Sequence, residues 1–193
     1  MRYVEICGDE EGGLHDPQDY LGLRRTWVRG ALNGKWSDPG VPHKGWRCID
    51  LEDLGEGESA ICEMCEVREI RFVHRMEHSE YPDTLGCGCI CAGHMEEDYT
   101  AAHERERQAR SWSDRRRRFG ISQRWRLLGN GGQYRVKDDY VVFVDRVASG
   151  GWTFSIKNRE RQTSLRARKI YPTPVGAKMT AFDAIEWMRR RGR

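Results

Sequence analysis

Five cysteines fall within thirty residues, Cys62, Cys65, Cys87, Cys89 and Cys91, and no other feature constrains the fold of this chain as tightly. Cys62-Glu-Met-Cys65 has the two-residue spacing that lets both thiolates of a tight turn point at one ion. Cys87-Gly-Cys-Ile-Cys91 supplies a second group further along. Tetrahedral zinc takes four such ligands at roughly 2.3 Å from sulfur, and in a small domain those bonds supply much of the folding free energy. The expected ligands are Cys62, Cys65, Cys89 and Cys91, with Cys87 and His94 as alternates, because Cys91 stands where a following helix should begin. Read instead as small buried residues or redox thiols, five cysteines in so short a stretch have no explanation for their clustering. Cys7 and Cys48 lie outside the cluster and read as buried free thiols.

Disulfides are a poorer account of the same residues. The chain has seven cysteines, an odd number, and the segment MRYVEICGDEEG lacks the apolar core of a secretory signal. No run of 18 apolar residues occurs, so membrane burial is not expected, and the anticipated compartment is a reducing cytoplasm.

Charge is divided unevenly along the chain. Residues 50–100 hold three Arg and no Lys against fourteen Asp and Glu, a balance of −11. Residues 101–193 hold twenty-three basic against nine acidic side chains, a balance of +14. A polyanion should therefore prefer the second half, and the acidic zinc region is better suited to a protein partner.

The local patterns predict an α+β protein in three parts: residues 1–110, a helix plus the acidic zinc domain; 111–121, a basic linker containing Arg115, Arg116, Arg117 and Arg118; and 122–193, a basic sheet-and-helix domain. Asp16-Pro17 opens a helix that Asn33-Gly34 stops. Residues 46–54 and 69–77 read as strands, residues 78–86 as a loop, and residues 92–110 as one helix. In the last part, YVVFVDRV and WTFSIK read as strands joined by Gly150-Gly151, TSLRARKIY as another, and Thr173-Pro174 starts a helix with the stripe Val175, Met179, Phe182, Ile185 and Met188. Three or four antiparallel strands on one C-terminal helix are expected. Gly129 to Gln133, GNGGQ, lacks the phosphate-loop pattern and reads as a turn.

The order of knuckle, strand, loop, cysteine pair and helix over residues 46–110 resembles the treble-clef zinc finger. The phrases CEMC, IRFVH and GCICAGHMEEDY are also similar to those of uncharacterised bacterial and phage proteins. Treble clefs include the HNH endonucleases, and that resemblance implies a catalytic role for His74 or His78, with His94 as a candidate ligand of a catalytic metal. The structural alternative makes these histidines strand-surface or supporting hydrogen-bond groups.

Residues 134–188, with an aromatic-led strand WTFSIK, a basic second hairpin and a helix after Tyr171-Pro-Thr-Pro174, resemble the apetala-type and integrase N-terminal DNA-binding domains. The resemblance implies an outer sheet face that enters a duplex groove. Alternation places Lys157, Arg166 and Arg168 on such a face, with Arg159 nearby. The leading expectation is a zinc-binding accessory or regulatory protein contacting nucleic acid, DNA first, through its basic half. Its rivals are a divergent HNH-like endonuclease and an interaction module that binds no nucleic acid.

Overall fold

The computed structural model describes residues 34–192, so the helix expected over residues 16–32 and Cys7 lie outside the described residues. The protein is α+β, with three helices among the described residues and antiparallel sheets throughout. It divides into two compact units, Met1–Arg107 and Gln108–Arg193.

In the first unit, β1 (Arg47–Asp53), β4 (Phe72–His78) and β5 (Tyr81–Cys87) form a sheet in the order β1-β4-β5. Two short strands, β2 (Ala60–Ile61) and β3 (Glu69–Ile70), pair separately and frame the CEMC turn. The expected single strand over residues 69–77 is thus broken at Arg71 into β3 and β4, each serving a different sheet. The segment read as a loop, residues 78–86, is mostly β5. Its turn-like composition misleads because β5 is an edge strand, where Pro82 can lack an N–H without breaking a ladder. Leu85, Gly86 and Cys87 at its end are buried.

The helix expected over residues 92–110 is two helices. α1 (Cys89–Glu96) starts before the expected position and stops at Glu97, whose φ of 61° is left-handed. Asp98 then caps α2 (Tyr99–Ile121), its carboxylate accepting from the Ala101 N–H at 2.9 Å. The bend needs Gly93, because a Cβ there would stand 2.9 Å from the Tyr99 Cα. Trp36, Trp46, Met64, Met76, Leu85 and Met95 form one apolar core with Cys62, Cys65, Cys87 and Cys91.

α2 continues through the run expected to be a linker. Arginines crowd only when they share a face, and successive helical side chains diverge by about 100°, so residues 115–118 point to four sides. Trp112, Arg116 and Phe119, at i, i+4 and i+7, share the face that meets α3 (Pro174–Arg190). The second unit's sheet has five strands rather than three or four, in the order β10-β9-β8-β7-β6: β6 (Arg126–Leu127), β7 (Gln133–Lys137), β8 (Tyr140–Arg146), β9 (Trp152–Asn158) and β10 (Ser164–Arg166). Val142, Val144, Phe154 and Ile156 face Ala177, Ala181, Phe182 and Ile185 of α3 in a second core. Thr173 caps α3 by accepting from the Gly176 N–H at 3.1 Å.

Candidate metal centre

Cys62 closes β2, and its N–H donates to the Arg68 carbonyl at 2.8 Å while its own carbonyl accepts from Glu66 N–H at 2.8 Å. The chain reverses at Glu66, where a φ of 57° puts a non-glycine residue in the left-handed region. Such a turn aims Cys62 and Cys65 to the same side. Lys35 holds it from outside, its N–H donating to the Met64 carbonyl and its ammonium reaching Glu66 Oε1, both at 2.9 Å.

Glu63 joins this turn to β5 twice. Its N–H donates to the Gly86 carbonyl at 2.9 Å, and its carboxylate accepts from the Gly86 N–H at 2.6 Å. That clamp brings the β5–α1 junction over the Cys62 sulfur, which accepts the Gly88 N–H at 3.4 Å. Gly88 is the N-cap of α1, and Cys91 lies one turn in. The sulfurs of Cys62, Cys65 and Cys91 all lie within 4.8 Å of one another and are buried, so these residues are positioned to hold a metal ion.

Cys87 joins them through Cys62. Hydrogen bonds from Cys65, Cys87 and Cys91 hold the Cys62 thiol far below its ordinary pKa. The same bonds, given rather than received, push Cys87 and Cys91 up, and burial adds to both shifts. No disulfide forms among the described cysteines. Three clustered sulfurs, one of them accepting an N–H···S bond, with Cys87 beside Cys62, are a donor set for a soft, thiophilic cation. Sulfurs on a tetrahedral ion with bonds of roughly 2.3 Å stand about 3.8 Å apart, so Cys62, Cys65 and Cys91 need to close by no more than about 1 Å to share one.

Of the expected ligand sets, Cys62, Cys65 and Cys91 are the three clustered thiols; neither Cys87, at the end of β5, nor Cys89, buried in the first turn of α1, is in that group. His94 pairs through Nδ1 with the Tyr99 hydroxyl at 2.9 Å and packs edge-on against Trp36.

The two histidines named for catalysis differ in their surroundings. His74 is 0% exposed, its Nδ1 4.0 Å from Cys48 Sγ and its Nε2 3.7 Å from Glu106 Oε2. A side chain without solvent access cannot meet a phosphodiester. His78 rests against Trp46 and accepts the Glu80 N–H at 3.0 Å, beside a shallow depression of ≈ 630 Å³ that includes Arg47, Tyr81 and Asp83.

Of the residues expected to meet nucleic acid, Lys157 and Arg166 are exposed on the outer face of the five-stranded sheet. Arg159 and Arg168 are exposed beyond the ends of β9 and β10. The tetra-arginine residues are not equivalent. Arg116 is engaged with Asp183 of α3 at 2.8 Å, whereas Arg115 and Arg118 bond back to the Ser111 and Asp114 carbonyls of their own helix. Arg117 is exposed. Comparison with protein families, curated proteins and solved structures finds no match for this chain.

Proposed function

We propose that this is a nucleic-acid-binding accessory protein in which zinc organises an acidic unit for a protein partner, while the basic unit contacts nucleic acid. The observation that carries the nucleic-acid reading is the charge of the second unit. Gln108–Arg193 holds twenty-one Lys and Arg against seven Asp and Glu, a balance of +14, with Lys157, Arg166 and Arg168 exposed on or beside one sheet. Each phosphate neutralised by such residues releases counterions, and this entropy drives association. Among the described residues of the first unit, Lys35 is paired with Glu66, Lys44 with Glu97, Arg47 with Glu77, Arg71 with Asp53 and Arg75 with Glu52. Its remaining carboxylates repel a phosphate backbone and suit a basic protein surface.

Zinc is the best match to four buried thiolates, because it prefers tetrahedral sulfur and brings no redox chemistry of its own. Cys62, Cys65, Cys87 and Cys91 would hold it, with Gly88 N–H supporting the Cys62 sulfur. Knuckle, hairpin and helix in this order, with thiols on the knuckle and at the helix start, support a treble-clef-type arrangement. A fully coordinated sulfur site leaves no open position for water, and this favours a structural ion over a nuclease centre.

Metal analysis of the purified chain, paired with fluorescence anisotropy on labelled oligonucleotides over a salt series, tests this reading. About one zinc per chain and an affinity that falls linearly on a log–log salt plot are expected. A metal-free protein that remains folded, or an absence of oligonucleotide binding at low salt, refutes the corresponding half.

A further inference from the structure

The sheet of the second unit has one face on the core and one face away from it. Val142 and Val144 on β8 are buried, so Val141, Phe143 and Asp145 project to the opposite side. On that side the register aligns one residue from each of the five strands: Arg126 with Tyr134, Tyr134 with Phe143, Phe143 with Ser155, and Ser155 with Arg166. Two aromatic rings thus occupy neighbouring central strands, and an arginine closes the row at each edge.

The rings of Tyr134 and Phe143 lie 6.3 Å apart between centroids, with planes only 26° from parallel. Both are partly exposed rather than buried. Around them stand Val136, 49% exposed, and Lys157, which pairs across the ladder with Val141. Arg126 and Arg166 are exposed, and neither forms an ion pair among the described residues. They stand four strand spacings apart, about 19 Å, a span that admits a few unstacked nucleotides.

A duplex offers this row little. Its bases are stacked on one another, and groove reading needs long polar donors at the centre of the contact, where this face has rings and a serine. An unpaired strand offers free π-faces for the rings and phosphates for the flanking arginines. We propose that the row Arg126–Tyr134–Phe143–Ser155–Arg166 is a stacking platform for the unpaired bases of single-stranded nucleic acid. This rests on the nucleic-acid reading of the basic unit and narrows its ligand to single strands.

The test uses the full chain and three labelled probes of equal length: oligo(dT), oligo(U) and a mixed-sequence DNA duplex. Single strands should bind at least about tenfold more tightly than the duplex, with the two single strands showing whether the sugar matters. Joint substitution Tyr134→Leu and Phe143→Leu keeps apolar bulk but removes the π-faces. It should weaken single-strand binding about tenfold or more while leaving the salt slope unchanged, because no phosphate contact is lost. Arg126→Ala with Arg166→Ala should weaken binding and flatten that slope by about 1 to 1.5. Unchanged melting of the unmixed variants confirms that each is folded. Ultraviolet crosslinking of the unaltered protein to oligo(U) gives a reading independent of any variant, and adducts should map to Tyr134 or Phe143. Equal affinity of the leucine variant and the parent, preference for duplex, or adducts confined elsewhere overturns the platform while leaving nucleic-acid binding intact. No binding to any of the three probes overturns the platform and the proposed function together.

Discussion

Cys87 and Cys89 are separated by one residue, yet the thiol of Cys87 reaches Cys62 and Cys89 is not among the clustered sulfurs. The cause is a change of element between them. On a strand, residues two apart share a face, and Cys89 and Cys91 would both point at one ion; on a helix they diverge by about 200°. α1 begins at Cys89, so the pair that the sequence suggests is split by helical geometry. The CxxC half was legible because its turn is local, whereas the second half depended on a strand-to-helix junction that no spacing rule locates. Cys62→Ser and Cys87→Ser should therefore each drop bound metal well below one ion per chain, and Cys89→Ser should retain it. Metal content by plasma spectrometry on purified variants checks this, and equal loss in Cys87→Ser and Cys89→Ser would sink the assignment of Cys87.

At the scale of elements, legibility followed how local each signal was. Thr173-Pro174 announces α3 through a local cap, the Thr173 hydroxyl accepting from the Gly176 N–H, and Thr173→Ala should cost about 1 kcal/mol, lowering the melting temperature of the second unit by a few degrees. β5 was hidden because an edge strand tolerates proline and needs few β-formers, so its pairing with β4 is decided by tertiary contacts. The arginine run was hidden for the opposite reason. Its charge suggested a solvated linker, but α2 uses Arg116 as an internal tie to α3. Burial raises the Asp183 carboxyl above its ordinary 3.8, and Arg116 opposes that rise. Arg116→Ala should raise it further, so the variant's deficit of about 1 kcal/mol is present at neutral pH and shrinks as pH falls through the folded value and the carboxyl is protonated in both states. Urea melts of variant and parent at several pH values check this, and a deficit that persists unchanged in acid would contradict it.

The whole molecule has two cores of different dependence. The first contains the four thiols among its buried residues, so the ion would hold together the CEMC turn, the end of β5 and the start of α1. The second consists of valines, isoleucines, aromatics, alanines and Met188 on one sheet and its helices, with no cysteine in it. Removing such an ion would take away bonds that a small domain cannot replace by apolar burial, and it would leave buried thiols to be accommodated in a dry core. Hydrogen exchange on the full chain with a strong chelator should then show amides of β2, β3, β5 and α1 losing protection while those of β8, β9 and α3 keep theirs. Oligonucleotide affinity should stay within about twofold of the metal-loaded value, because the proposed phosphate and base contacts all belong to Gln108–Arg193. Readdition of zinc should restore protection in the first unit without changing that affinity. A loss of oligonucleotide binding that tracks metal removal would mean that the zinc unit takes part in the contact, and the assignment of nucleic acid to the basic unit alone would have to be abandoned.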